Sequence, residues 1–181
     1  LCSYLLEAGF DVIKFDRSSS VESVLKSLQE VDVIVHLAGV NRPKTDDEFY
    51  AGNQYLTEFI CSIIANSKKS VPIFYASTKQ VDNNSHYGRS KLLAEQSLKK
   101  YHEITDAPVM IMRLPNVYGK WCKPDYNSVV ATFCHNIPRG IKSKIQNADH
   151  ILPLLYIDEV VRDICDFCQS QKNGLSIVNK V

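Results

Sequence analysis

Ser77 to Lys91 reads STKQVDNNSHYGRSK and follows directly on the apolar run Val71 to Ala76, VPIFYA. An apolar run that ends in two hydroxyls, then a polar connection, then a tyrosine and a lysine four residues apart, reads as strand, loop and helix. Positions i and i+4 share a helix face, so the Lys91 ammonium can sit near the Tyr87 phenol and favour its ionised form. A hydroxyl from Thr78 or Ser77, at the strand end, can hold a substrate oxygen beside that phenol. The pattern describes a proton-transfer site for a carbonyl/alcohol pair. Alone, a tyrosine four residues before a lysine is more often one amphipathic side chain beside another. The reading therefore depends on its flanks.

Upstream, Asp46 to Ser67 has the length and apolar spacing of a long helix, with Phe49, Tyr55, Leu56, Phe59, Ile60, Ile63 and Ile64 as its core stripe. Asn53 is a polar exception on it, able to reach Lys91 directly or through a water. Before it, Asp32 to Leu37 (DVIVHL) is a strand running into Ala38-Gly39, where a ligand can approach a backbone bare of bulk. Val21 to Gln29 is a modest helix. Phe10 to Phe15 (FDVIKF) is a short buried strand ending in Asp16-Arg17 and three serines. At such a strand end Asp16 suits a free ribose 2′-hydroxyl and Arg17 a 2′-phosphate, so the two neighbours argue for different cofactors; a solvated turn is the plain alternative. The opening LCSYLLEAG reads as a helix already under way, closed by Gly9.

Downstream, Tyr87 to Glu103 is a helix and Pro108 to Arg113 (PVMIMR) a strand. The loop LPNVYGKWCKPDYNS follows, rich in Pro, Gly, Asn and Lys, where Lys120, Lys123 and, further on, Arg139 can neutralise a diphosphate or be ordinary surface charges. Ser128 to Ile137 reads as a helix, Ile151 to Ile157 as a strand, Asp158-Glu159 as a helix start and LSIVNKV as a final strand. Alternating helices and continuously apolar strands predict an α/β fold, a Rossmann-like doubly wound parallel sheet with helices on both faces. Ligands then bind beyond the carboxyl ends of the strands, where Asp16, Gly39, Thr78 and Arg113 fall.

Composition narrows the partners. The 181 residues suit one domain, and 21 basic against 20 acidic residues leave no footprint for nucleic acid or an anionic membrane surface. A small-molecule ligand fits better. No apolar run approaches the roughly 20 residues of a membrane span, and LCSYLL is cut by Glu7 without a basic leader, so the expected location is cytoplasmic. Cys165 and Cys168 form a CxxC amid helical apolar spacing, and no second cysteine pair completes a zinc site, so no metal is expected.

Taken together, HLAG after the DVIVHL strand, Asn53, Ser77-Thr78, YGRSK, RLPNVYG and LLYIDEVV occur in the order found in extended short-chain dehydrogenase/reductases (the NAD-dependent epimerase/dehydratase superfamily) acting on nucleotide sugars, which the whole chain resembles. HLAGVNRPK and GKWCKPDYNSVVATFC resemble the bacterial capsular-polysaccharide UDP-sugar reductases of the CapF (or WbjC) type. The resemblance implies NADPH, ahead of NAD, and reduction of the 4-keto group of a UDP-linked 4-keto-6-deoxy sugar, a 2-acetamido-2,6-dideoxy-hexos-4-ulose on the way to UDP-N-acetyl-L-fucosamine.

In that scheme Tyr87 donates the proton, Thr78 holds the oxygen, Lys91 lowers the tyrosine pKa and bonds the ribose, and Asn53 anchors Lys91. The cofactor would meet Asp16, Arg17, Leu37, Ala38, Gly39, Ser77, Tyr87, Lys91 and Leu114. The sugar nucleotide would meet Arg42, Thr78, Asn116, Lys123 and Asn127. The family's habit implies a homodimer through the helices Asp46 to Ser67 and Tyr87 to Glu103, which exposed Phe59 or Leu98 would support.

Two departures stand out. No glycine-rich dinucleotide loop occurs among the seven glycines, so the first strand and that loop are expected to lie upstream, and the chain alone is expected to bind cofactor poorly. Nothing resembles the cupin domain that follows in the subgroup; residues 1–181 read as one partial NAD(P)-binding domain. The rivals are an NAD-dependent 4-epimerase and a non-catalytic nucleotide-binding module of the same fold. A 4,6-dehydratase is disfavoured because Lys79-Gln80 stands where that subfamily carries Asp-Glu.

Overall fold

The computed structural model describes the chain apart from residues 146, 148, 150, 172 and 181. Its elements run α1 (Cys2–Glu7), α2 (Val21–Leu28), β1 (Ile34–His36), α3 (Asp47–Phe49), a π-helical segment (Tyr50–Tyr55), α4 (Leu56–Asn66), β2 (Ile73–Thr78), a 3-10 turn (Lys79–Asp82), α5 (His86–Thr105), β3 (Val109–Leu114), β4 (Asn116–Tyr118), α6 (Val129–Asn136), β5 (Leu154–Tyr156), α7 (Ile157–Ser170) and β6 (Leu175–Asn179). Four strands form one parallel sheet in the order β1-β2-β3-β6, and β4 pairs with β5 in a second, two-stranded parallel sheet.

Successive strand residues point to opposite faces, and both faces are apolar. Ile73, Tyr75, Val109 and Ile111 pack with Ile64 of α4 and Leu98 and Tyr101 of α5. Phe74 and Met112 pack with Leu5 of α1 and Ile164 and Phe167 of α7 on the other side. Ile73, Phe74 and Tyr75 are wholly buried; each such apolar side chain contributes about 1.5–3 kcal/mol. The expected doubly covered parallel sheet is what the chain forms.

Several expectations fail. Phe10 to Phe15 is no strand: it pairs with none of the described strands, and Phe10 and Val12 instead pack beside the α7 cluster. The long helix is interrupted by the π turn, whose wider winding rotates the downstream face. Asn53, Thr57, Cys61 and Ile64 therefore turn inward, while Tyr55 and Phe59, expected in the core stripe, are exposed. Leu98, whose exposure would have supported a dimer face, is wholly buried because α5 lies flat on the sheet through it. The segment after Arg113, expected as loop, contains β4.

Candidate active site

The carboxyl end of β2 and the first turns of α5 build the site. Ser85 caps α5, its side chain accepting from the Gly88 amide at 3.1 Å. A Cβ on Gly88 would run into the Gln80 carbonyl, so glycine lets the helix settle on the 3-10 turn that follows Thr78. This contact brings Tyr87 over Thr78. The Thr78 hydroxyl accepts from the Gln80 amide at 3.2 Å and directs its own proton at the Tyr87 phenol, where a substrate oxygen can take it.

Ser77 differs. Its hydroxyl donates at 2.6 Å to Glu95, a wholly buried carboxylate that also takes the Arg113 guanidinium at 3.0 and 2.7 Å. Of the two hydroxyls open to the sequence reading, Thr78 is the one with a proton to offer. Arg113, read as a candidate on the ligand edge, is tied to Glu95.

Lys91 is 4% exposed. Its ammonium donates to the Ala76 carbonyl at 2.7 Å and stands 4.1 Å from the centre of the Tyr75 ring. Burial pulls its pKa down to about 7, against the opposing charge of Glu95. Burial pushes the Tyr87 phenol above its ordinary value, opposed by a hydrogen bond with Thr78. The expected lowering by Lys91 is thus not what the structure holds: the ammonium is engaged by Ala76, and desolvation dominates at the phenol. A protonated phenol suits a proton donor.

Asn53 acts on the backbone. Its carboxamide accepts from the Val40 amide at 2.8 Å and donates to the Val40 carbonyl and to Ser90, both at 2.9 Å. Ser90 in turn donates to the Tyr87 carbonyl at 2.8 Å. A Cβ on Gly39 would lie 2.7 Å from the Asn53 oxygen, so Gly39 is bare to admit this side chain. Asn53 makes no direct bond to Lys91 among these contacts; it ties the turn after β1 to α5.

Leu37, Gly39, Asn53, Ser77, Thr78, Tyr87, Lys91 and Leu114 line one cleft of about 240 Å³, with Asn41, Ala76 and Val117. Asp16, Arg17 and Ala38 are not on that lining. Asp16 is exposed and holds the turn at Ser18, bonding its amide at 2.8 Å and hydroxyl at 2.6 Å, which lowers the carboxyl pKa. Arg42 donates to Asn127 at 2.9 Å and lies over the Tyr126 ring at 4.8 Å, so two expected substrate contacts join the turn after β1 to the loop before α6. Lys123 stands 5.9 Å from the same ring, and Asn116 is exposed at the start of β4.

Ser90, Glu95, Thr57 and Tyr75 were not singled out from sequence. Glu95 carried a signal: it lies four residues after Lys91, on the helix face that must meet the sheet. Among the described residues no three His, Cys, Asp or Glu side chains gather as metal ligands. Cys165 and Cys168 are free thiols, and burial raises Cys168 to about 11.

Residues 1–179 match the model of the NAD dependent epimerase/dehydratase family. The chain belongs to that family. Over 163 residues it is 46% identical to the UDP-2-acetamido-2,6-beta-L-arabino-hexul-4-ose reductase of Pseudomonas aeruginosa strain PA103, covering 90% of this chain and 44% of that one. The capsular polysaccharide assembling protein CapF of Staphylococcus aureus superposes with a TM-score of 0.80 at 35% identity, over 98% of this chain and 51% of that one. MoeE5, solved with UDP-glucose and NAD, superposes at 0.84 with 19% identity over 99% of this chain and 70% of that one, which speaks to the fold alone. The chain thus spans about half the length of the first two relatives. As a family member it carries a Rossmann-like parallel sheet.

Proposed function

We propose that the chain carries the reductase site of an enzyme that reduces the 4-keto group of a UDP-2-acetamido-2,6-dideoxy-hexos-4-ulose, in the making of capsular or O-antigen sugar precursors. The observation that carries this reading is the set of Thr78, Tyr87 and Lys91 lining one cleft at the carboxyl end of β2, with the Thr78 and Tyr87 hydroxyls hydrogen-bonded to each other. The 46% identity to a reductase of such a sugar supports the substrate class.

The residues fit a nicotinamide cofactor. Lys91 uses one proton on Ala76 and keeps two for ribose hydroxyls, and Leu37, Gly39 and Leu114 give the cleft an apolar, closely approachable wall. When bound, the reduced nicotinamide supplies hydride. Thr78 donates to the ketone oxygen and holds it against Tyr87. As negative charge develops on that oxygen, the Tyr87 phenol transfers its proton there. Asn53 and Ser90 hold the turn after β1 and the Tyr87 backbone in register for this transfer.

We assign NADPH as the cofactor, with Arg17 for its 2′-phosphate, and Arg42, Asn116, Lys123 and Asn127 as sugar-nucleotide contacts. A homodimer through residues 47–66 and His86–Thr105 belongs to the same reading, supported by exposed Tyr55 and Phe59. So does a cytoplasmic location, supported by a family of NAD(P)-dependent enzymes.

The test follows NADPH absorbance with a UDP-linked 4-keto-6-deoxy-N-acetylhexosamine, using the chain extended upstream by a strand and glycine-rich loop. Steady consumption that disappears in Tyr87→Phe is the expected result. Interconversion of UDP-hexoses on bound NAD, without net consumption, would replace the reductase with a 4-epimerase.

A further inference from the structure

Glu95 is wholly buried, on the α5 face that rests on the sheet. A buried carboxylate without partners costs several kcal/mol, and Arg113 alone supplies a two-pronged partner at 3.0 and 2.7 Å. Ser77 adds a third bond that charge balance does not require. Ser77 and Arg113 are register partners on β2 and β3, so a single carboxylate reads the carboxyl ends of both strands. It does so one helical turn beyond Lys91.

This has two consequences at the cleft. A serine that donates to Glu95 has no proton for a ketone oxygen, whereas Thr78, which accepts from Gln80, does. Around Lys91 stand Tyr75 of β2, His36 of β1, and Tyr87 and Glu95 of α5, and Glu95 is the anion among them. We propose that Glu95 is a positioning residue of this site: it accepts the Ser77 hydrogen bond, leaving Thr78 to offer a hydroxyl to the substrate, and its charge favours the ammonium form of Lys91. The catalytic half of this inference rests on the reductase reading; the electrostatic half does not.

The electrostatic half is tested on the chain itself by following the Lys91 ¹³Cε resonance with pH, assigned by its loss in Lys91→Met. Wild type is compared with Glu95→Gln and with the paired exchange Glu95→Met/Arg113→Met, which keeps a packed interior if the single variant fails to fold. The expected result is a fall of about one pH unit in the Lys91 midpoint, a tenfold loss in the ammonium ratio. An unmoved midpoint overturns this half whatever the enzymology.

The catalytic half is read in the NADPH assay. Thr78→Val should lower kcat about 100-fold in the wild-type background, as expected for loss of an oxyanion donor. It should lower kcat less than about tenfold in the paired exchange, where Ser77 is released to donate. Equal losses in both backgrounds overturn the selection of Thr78. If wild type consumes no NADPH, the reductase reading and with it the selection of Thr78 fall, while the Lys91 titration still decides the role of the Glu95 charge.

Discussion

His36 makes the fold sensitive to acid. It lies on β1, 4% exposed, with Nε2 at 2.9 Å from the Thr57 hydroxyl. Thr57 donates its own proton to the Asn53 carbonyl at 2.7 Å, so the ring must donate through Nε2–H. Burial, and then the charge of Lys91, pull its pKa from 6.5 to about 3. In the unfolded chain His36 takes up a proton below 6.5; in the folded chain it does not until about 3. Unfolding therefore binds protons across this window, and stability falls as pH drops through it.

At ~1.4 kcal/mol per unit the full window amounts to roughly 5 kcal/mol, comparable to the total stability of many domains. The assay is urea denaturation followed by circular dichroism at a series of pH values, with His36→Gln retaining an N–H donor for Thr57. Between about pH 6 and pH 4, wild type should lose ~1.4 kcal/mol per unit more than the variant. Lys91→Met should narrow that difference by removing the repelling charge. Parallel pH curves for wild type and His36→Gln would refute the assignment of a buried neutral ring.

Other consequences are simpler. Gly39→Ala places a methyl 2.7 Å from the Asn53 oxygen and should cost about 1–3 kcal/mol in urea; Asn53→Ala should relieve much of it, so the double variant is non-additive. Lys91 has a folded pKa of about 7 against an ordinary 10.5, so its penalty is full below pH 7 and fades as pH rises. Lys91→Met should therefore raise the melting temperature at neutral pH and flatten its rise toward pH 10, while removing activity. Arg42→Ala and Asn127→Ala should each weaken UDP-sugar binding about tenfold by calorimetry, with little further loss when combined, because the two side chains bond each other.

The sheet and the Tyr87/Lys91 pair were legible because each depends on local spacing: apolar runs between turn signals, and an i, i+4 pair just after a strand. What was missed depends on tertiary contact. The π turn at Tyr50–Tyr55 has no compositional mark, yet it decides whether Asn53 or Tyr55 faces the core. FDVIKF has the composition of a strand, but a strand exists only where a neighbour offers its ladder. The choice between Ser77 and Thr78 could not be read from two adjacent hydroxyls; it is set by Glu95, eighteen residues from Ser77. The direction of the Tyr87 shift was misjudged for a related reason, since sequence shows the nearby charge but not the burial that outweighs it.

The central claim is that Tyr87 protonates a sugar C4 oxygen as that carbon is reduced. The most direct measurement gives the loop-bearing protein NADPH deuterated at the nicotinamide C4 and the UDP-linked 4-keto sugar, then examines the product by NMR. The account predicts deuterium at sugar C4 of a new alcohol in wild type, and none in Tyr87→Phe. Label that never enters the sugar in wild type, or enters equally well in Tyr87→Phe, would contradict it.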